Sequence, residues 1–162
     1  MDDFKKIIIP LLGVAVFIIF VGLLYNKDKV RLPESKKTVD VKIGSITVKA
    51  TLADNEELRK AGLGEVDKLA ENEGMLFMFD KKDVIPSFWM KGMKITIDIL
   101  WLNDGKIVQI DKNIEPPKAG TKDNDLAKYK PDNPIDYVLE VNGGYSDKNG
   151  IKEQDAVEIP NL

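Results

Sequence analysis

Between Gly74 and Trp101 the chain carries a concentration of aromatic and sulfur-bearing bulk that limits what the rest of it can become. These 28 residues, GMLFMFDKKDVIPSFWMKGMKITIDILW, hold both tryptophans, four of the five methionines and three of the six phenylalanines. Side chains of that size are stable only when buried together, and a small domain has one core to offer them. Gly74–Phe79 is apolar without a polar face, as expected of a short strand covered on both sides. A charged loop, Asp80–Asp83, separates it from the rest of the stretch, and Pro86 breaks the chain before Ser87–Met90. Ile95–Leu102 then alternates: Ile95, Ile97, Ile99 and Trp101 share one face, and Thr96, Asp98, Leu100 and Leu102 the other. An acid inside an apolar strand is the oddity of the sequence.

The flanking segments read as more strands. Thr38–Leu52 alternates on either side of Gly44-Ser45 and predicts a hairpin. Asp54–Gly62 predicts a two-turn helix, with Asp54 as N-cap, Glu57 completing a capping box and Gly62 beyond the last turn. Asn103-Asp104-Gly105 is a turn, and Lys106–Ile110 returns as the partner strand. Asp111–Pro134 runs for 24 residues with four prolines and little periodicity, so it predicts a long loop, functional or mobile. Ile135–Asn142 alternates again, with Tyr137, Leu139 and Val141 on one face and Val138, Glu140 and Asn142 on the other; Ala156–Ile159 predicts a last strand. Many short strands and one short helix imply a compact, mainly β domain: an antiparallel sandwich or barrel over residues 38–162.

The N-terminus differs in kind. Ile7–Leu24 is an unbroken apolar run of 18 residues. As a helix it would span roughly 27 Å, the thickness of a bilayer's hydrocarbon core. No small-x-small cleavage site follows it, and no polar stripe marks it as a buried core helix. It therefore predicts a single transmembrane anchor within residues 1–25, with residues 26–37 as a juxtamembrane linker. The basic residues flanking the run are nearly balanced, so the short N-terminal tail sets the expected orientation, placing the C-terminal domain outside the cytoplasm.

Composition excludes several function classes. Without cysteine or histidine the chain has no thiolate or imidazole metal site, no cysteine nucleophile and no Ser–His–Asp triad. Any catalysis would rest on carboxylates, lysine, tyrosine or backbone groups. Residues 1–31 carry +2 of a whole-chain charge of −3, leaving −5 for residues 32–162, which argues against nucleic acid as a partner. The pairs Gly62/Gly64 and Gly143/Gly144 lack the lysine and helix start of a phosphate-binding loop and read as turns and caps.

Several ordered motifs carry a family resemblance. Arg59 with Gly62-Leu63, then Leu69, Gly74-Met75-Leu76-Phe77 and Phe79 begin the pattern. Phe88-Trp89-Met90-Lys91, Asp98-Ile99, Val108, Tyr137–Asn142 and Gly144 continue it. Over residues 59–159 the chain resembles the domain of unknown function 192 family of prokaryotes. The resemblance implies a compact β-sandwich-like fold and no established activity. The chain departs from the pattern at Gly64 (usually methionine), Gly92 (asparagine), Thr96 (proline), Gly143 (alanine) and Gln154 (glycine). Any function that needs the missing amide at position 92 is thereby in doubt.

Six side chains are candidate ligand-binding residues: Arg59, Trp89, Lys91, Asp98, Glu140 and Asn142. Asp98, half desolvated beside Leu100 and Leu102, suits either a general acid or ligand, or a structural acceptor of hydrogen bonds from backbone or Arg59. Glu140 and Asn142 would join Asp98 in an oxygen-rich cluster if their strands were neighbours, able to hold a hard cation or to work as acid and base on a sugar. Otherwise they are unrelated acids, one of them paired with Lys91. Trp89 is either core or a platform for a ring-shaped ligand, alternation placing it opposite Phe88 and Met90. Lys91 is expected to be a solvated cation. Three functions follow from these readings: a binding module for a small polar ligand such as a glycan or a metal, a structural or interaction domain, and a hydrolase working through Asp98 and Glu140. No cofactor is expected.

Overall fold

The computed structural model describes residues 37–64, 66–160 and 162. The apolar run Ile7–Leu24 and the linker before Lys37 lie outside them. Among the described residues no helix is long and apolar enough to cross a membrane.

Strands β1 (Thr38–Ile43) and β2 (Ile46–Ala53) form the expected hairpin, paired from Thr38↔Thr51 to Ile43↔Ile46. Helix α1 (Glu56–Ala61) follows, one residue later than the capping box suggested. Asn55, not Asp54, is its N-cap, and the Asn55 carboxamide oxygen accepts the Leu58 N–H at 2.9 Å. The chain then crosses over to β3 (Glu73–Met78), which pairs parallel to β2. This corrects the expectation of a wholly antiparallel fold. A tight turn can join only antiparallel neighbours, and the α1 crossover supplies the length that a parallel pair needs.

Strands β5 (Ile97–Asn103) and β6 (Lys106–Ile114) make a second hairpin. Its turn takes left-handed backbone at both Asp104 (φ 47°) and Gly105 (φ 68°), the conformation that Asp-Gly favours in two-residue hairpin turns. Strand β8 (Tyr137–Asn142) inserts antiparallel between β5 and β3. Helix α2 (Tyr145–Lys148) and strand β9 (Val157–Glu158) end the domain. The sheet order is β6-β5-β8-β3-β2-β1-β9, seven strands. Residues 154–157 also hydrogen-bond back to Gly105 and Ile107, so the sheet curls until its two edges meet. The result is one curled, barrel-like sheet, not two stacked ones.

Alternation gives this sheet two apolar faces. Val41, Val48, Leu76, Leu100, Leu139 and Val141 fill the inside of the curl. Phe77, Ile97, Ile99, Trp101 and Val138 face outward, where Leu63, Met90, Met93 and Ile135 cover them. That second layer includes a two-stranded ribbon, β4 (Phe88–Trp89) with β7 (Lys128–Tyr129). The segment expected to be a featureless loop is therefore ordered: β6 extends to Ile114, a 3-10 turn spans Asp123–Asp125, and Gln109 accepts the Asp132 N–H at 2.8 Å. Among the described residues two α-helices stand where one was expected within the β domain.

Four of the five departures from the family pattern fall in two contacting pairs, Thr96 with Gly143 and Gly64 with Gly92. A Cβ at Gly143 would lie 2.6 Å from Thr96 Cγ2, so the branched side chain at 96 is matched by a missing one at 143. Likewise a Cβ at Gly64 would lie 3.2 Å from the Lys91 carbonyl oxygen, which lets the end of α1 rest on the backbone of the 91–92 turn.

Candidate functional site

Asp98 is wholly buried and wholly engaged. Its Oδ1 accepts the backbone N–H groups of Asn113 (2.8 Å) and Gly144 (2.9 Å), and Oδ2 that of Ser146 (2.9 Å). One carboxylate thus ties the far end of β6 and the first turn of α2 to β5. This is the structural reading of Asp98, with backbone donors in place of Arg59. The Ser146 hydroxyl beside it is buried and has no partner among the described residues.

Glu140 lies on the neighbouring strand and on the opposite face. The register pairs it with Ile99 on β5 and Met75 on β3, whereas Asp98 pairs with Val141. Because successive side chains of a strand point to opposite sides, the expected Asp98–Glu140–Asn142 cluster does not form, although the strands are neighbours. The acid–base pair of the hydrolase reading is split by the sheet, and that reading falls with it. Among the described residues no group of three or more acidic side chains could hold a metal ion.

Asn142 shares the Glu140 face but is spent elsewhere. Its Nδ2 donates to the carbonyls of Leu69 (3.3 Å) and Ala70 (2.9 Å), pinning the crossover to the sheet.

Glu140 has none of the satisfaction of Asp98. It is 6% exposed, and its Oε2 is buried without a hydrogen-bond partner among the described residues. Burial between Met75 and Ile99 disfavours the charged form and pushes its pKa from 4.5 up to about 8. At neutral pH the side chain is therefore mostly a neutral acid, able to donate one hydrogen bond and accept others. Close strand packing holds it there, since a Cβ at Gly74 would come within 2.6 Å of the Glu140 carbonyl oxygen.

The acid lines a cleft of about 270 Å³ between α1 and the Pro86–Met93 segment. Phe77 and Phe88 form its apolar wall, ring centroids 4.9 Å apart and edge to face, with Phe88 also edge-on to Trp101 at 5.5 Å. The indole of Trp101 is anchored by donating to Asp111 Oδ2 at 2.9 Å. Trp89 points the other way from Phe88, as alternation predicts, and is 43% exposed at the rim. Lys128 lies over its ring at 3.7 Å and Lys91 at 5.5 Å. Lys91 also pairs with Asp123, so it is neither free nor the partner of a buried acid. Arg59 enters from α1, its guanidinium donating to the Met78 carbonyl at 2.8 Å and lying 3.5 Å from Asp80.

The structure thus brings together four of the six candidates, Arg59, Trp89, Lys91 and Glu140, and excludes Asp98 and Asn142. Phe77, Phe79, Ser87, Glu56 and Lys60 also line the cleft and were not singled out in the sequence. The alternation of Phe77 and Phe79 was the available signal. For Lys128, inside an aperiodic stretch, there was none.

Fold and site together define a barrel-like β domain with an aromatic-walled cleft on the outer face of its sheet. The chain belongs to the DUF192 family, described as "Uncharacterized ACR", which matches residues 39–159. Two solved structures are similar. A protein from Sinorhizobium meliloti 1021, described as a candidate transcription regulator, is 27% identical with a TM-score of 0.69, over 80% of this chain and 98% of that one. A protein of unknown function from Novosphingobium aromaticivorans is 30% identical with a TM-score of 0.64, over 75% of this chain and 83% of that one. No curated protein sequence matches the chain significantly.

Proposed function

We propose that the chain is a membrane-anchored, extracytoplasmic β domain that binds a small polar ligand of the glycan class in the Glu140 cleft. The observation that carries this reading is the Glu140 carboxyl: buried, its Oε2 without a partner among the described residues, and set in an aromatic-walled cavity with Trp89 at its mouth. Leaving a buried polar group unsatisfied costs about 1–3 kcal/mol, an expense that a ligand hydroxyl would relieve. A sugar ring supplies both hydroxyls for Glu140 and Ser87 and an apolar face for Phe88 or Trp89. Metal, the other ligand class expected from the sequence, is less suited, because a hard cation needs several oxygens around it and Glu140 is the cleft's single buried acid.

Anchoring rests on the length and apolarity of Ile7–Leu24. The net charge of −5 on residues 32–162 supports a function unlike the one that describes the Sinorhizobium relative.

The test is a thermal-shift series on the full chain in mild detergent, with monosaccharides and divalent metals as probes. A ligand at about 100 times its Kd should stabilise the fold by roughly 2.7 kcal/mol. A sugar that shifts wild type but not Trp89→Ala supports the reading; a shift by metals alone overturns it. A second reading, a protein partner seated on the exposed Trp89 and nearby Ile85 (57% exposed), predicts no small-molecule shift at all.

A further inference from the structure

The charges around the cleft narrow the ligand further. Its lining includes Arg59, Lys60 and Lys91 but only one exposed acid, Glu56. The surrounding domain has the opposite sign, so this concentration of cations is local. Each cation has an acidic neighbour: Asp80 for Arg59, Glu56 for Lys60, Asp123 for Lys91. Those acids are 83%, 76% and 57% exposed, and ion pairs at such positions contribute little. Such exposed pairs leave the cations incompletely neutralised for a ligand that enters a less hydrated cavity. Arg59 is the most firmly placed of the three. Its side chain is 18% exposed and its Nη1 is fixed on the Met78 carbonyl, which leaves the remaining guanidinium donors for another partner.

Glu140 is the only other acid in the lining. As a neutral carboxyl it would not repel an anion, and it would donate its proton in a hydrogen bond to one.

Resting on the glycan reading above, we infer that the cleft selects acidic sugars: a ring whose carboxylate lies between Arg59 and Lys91, with Glu140 donating a hydrogen bond from below and Trp89 covering the ring. Uronic acids are the simplest members of that class. No bond is made or broken; this is recognition by charge and by a neutral acid.

The experiment is isothermal titration of the full chain in mild detergent with D-glucuronate, D-glucose and D-glucosamine, at matched ionic strength and pH 7. Glucuronate is expected to bind at least 10-fold more tightly than glucose, and glucosamine no better than glucose. Arg59→Met and Lys91→Met should each weaken glucuronate binding about 10-fold and narrow its advantage over glucose. Glu140→Gln, which keeps a hydrogen-bond donor, should still bind glucuronate at pH 7. Wild-type affinity should fall between pH 7 and 9 as Glu140 ionises, whereas Glu140→Gln should not follow it. The charged groups lining the cleft with Glu140 are Glu56, Arg59, Lys60 and Lys91, and the hydrogen bond with Lys60 holds the Glu56 carboxyl below the usual carboxylate range. Equal binding of glucuronate and glucose would overturn the anion selectivity and leave the sugar site standing. Preference for glucosamine would overturn it in the opposite sense, pointing to an ionised Glu140. If no sugar binds, both this inference and the function it rests on fall.

Discussion

Asp98 and Glu140 are two buried acids on adjacent strands, one residue out of register, and they differ in almost everything else. Asp98 faces the interior side of the sheet and collects three backbone N–H groups from two other segments. Glu140 faces the outer layer, has an oxygen with no partner, and lines a cleft. Burial is common to both, so burial alone does not mark a site. What separates them is whether the fold has already supplied the partners. A carboxylate surrounded by backbone donors is a structural knot. One that folding leaves unsatisfied is stabilised by whatever later satisfies it.

Removing each acid should therefore have effects of opposite sign. Asp98→Ala orphans three buried N–H groups and is expected to cost about 3–5 kcal/mol, read as a fall in the urea midpoint. A loss below about 1 kcal/mol would mean that water replaces the carboxylate easily and would erase the contrast.

Glu140→Leu should stabilise, and increasingly so at higher pH. The folded pKa is raised, so the folded state keeps a proton that the unfolded state gives up. Below pH 4.5 both states are protonated and nothing is lost; between 4.5 and about 8 wild-type stability falls as pH rises, and above about 8 the loss levels off. At pH 8 the variant is expected to exceed wild type by roughly 2–4 kcal/mol, with a smaller difference at pH 5. Thermal melts across that range measure it, and a gap independent of pH would show that Glu140 ionises freely.

The Asp98 side offers a sharper geometric test. Gly143→Ala drives a methyl into Thr96 and should cost about 1–3 kcal/mol. Combined with Thr96→Ala, the penalty should shrink by 1 kcal/mol or more, a coupling that independent sites do not show. On the cleft side the smallest effect is expected from Lys128→Met. Loss of its contact with Trp89 should remove about 0.5 kcal/mol and shift the fluorescence of the exposed indole, Trp101 being sealed in the core.

Much of this fold was legible because local patterns determine it. The β1–β2 hairpin follows from alternation around Gly44-Ser45, and the β5–β6 hairpin from Asn103-Asp104-Gly105. The outward turn of Trp89 relative to Phe88 was readable from period two alone. What escaped were relations between distant segments. Alternation places Asp98 with Leu100, and Glu140 with Val138, but only the register Ile99↔Glu140 shows that these faces lie on opposite sides of one sheet. The parallel pairing of β2 with β3 depends on the path of the crossover. The donors that satisfy Asp98 are main-chain groups, with no side-chain signature to read. Helix α2, only four residues long, follows Gly143-Gly144, which the sequence marks as a turn without signalling a helix beyond it. The cleft itself is made by α1 meeting the Pro86–Met93 segment, a contact across the chain that no motif announces.

The most direct measurement is a titration of the Glu140 side-chain carboxyl by ¹³C NMR in the folded protein. The account predicts a midpoint near pH 8, with the carboxyl neutral across the physiological range. A midpoint near 4.5 would mean an ionised Glu140 at neutral pH, satisfied by partners or by solvent, and the case for a cleft waiting on its ligand would be lost.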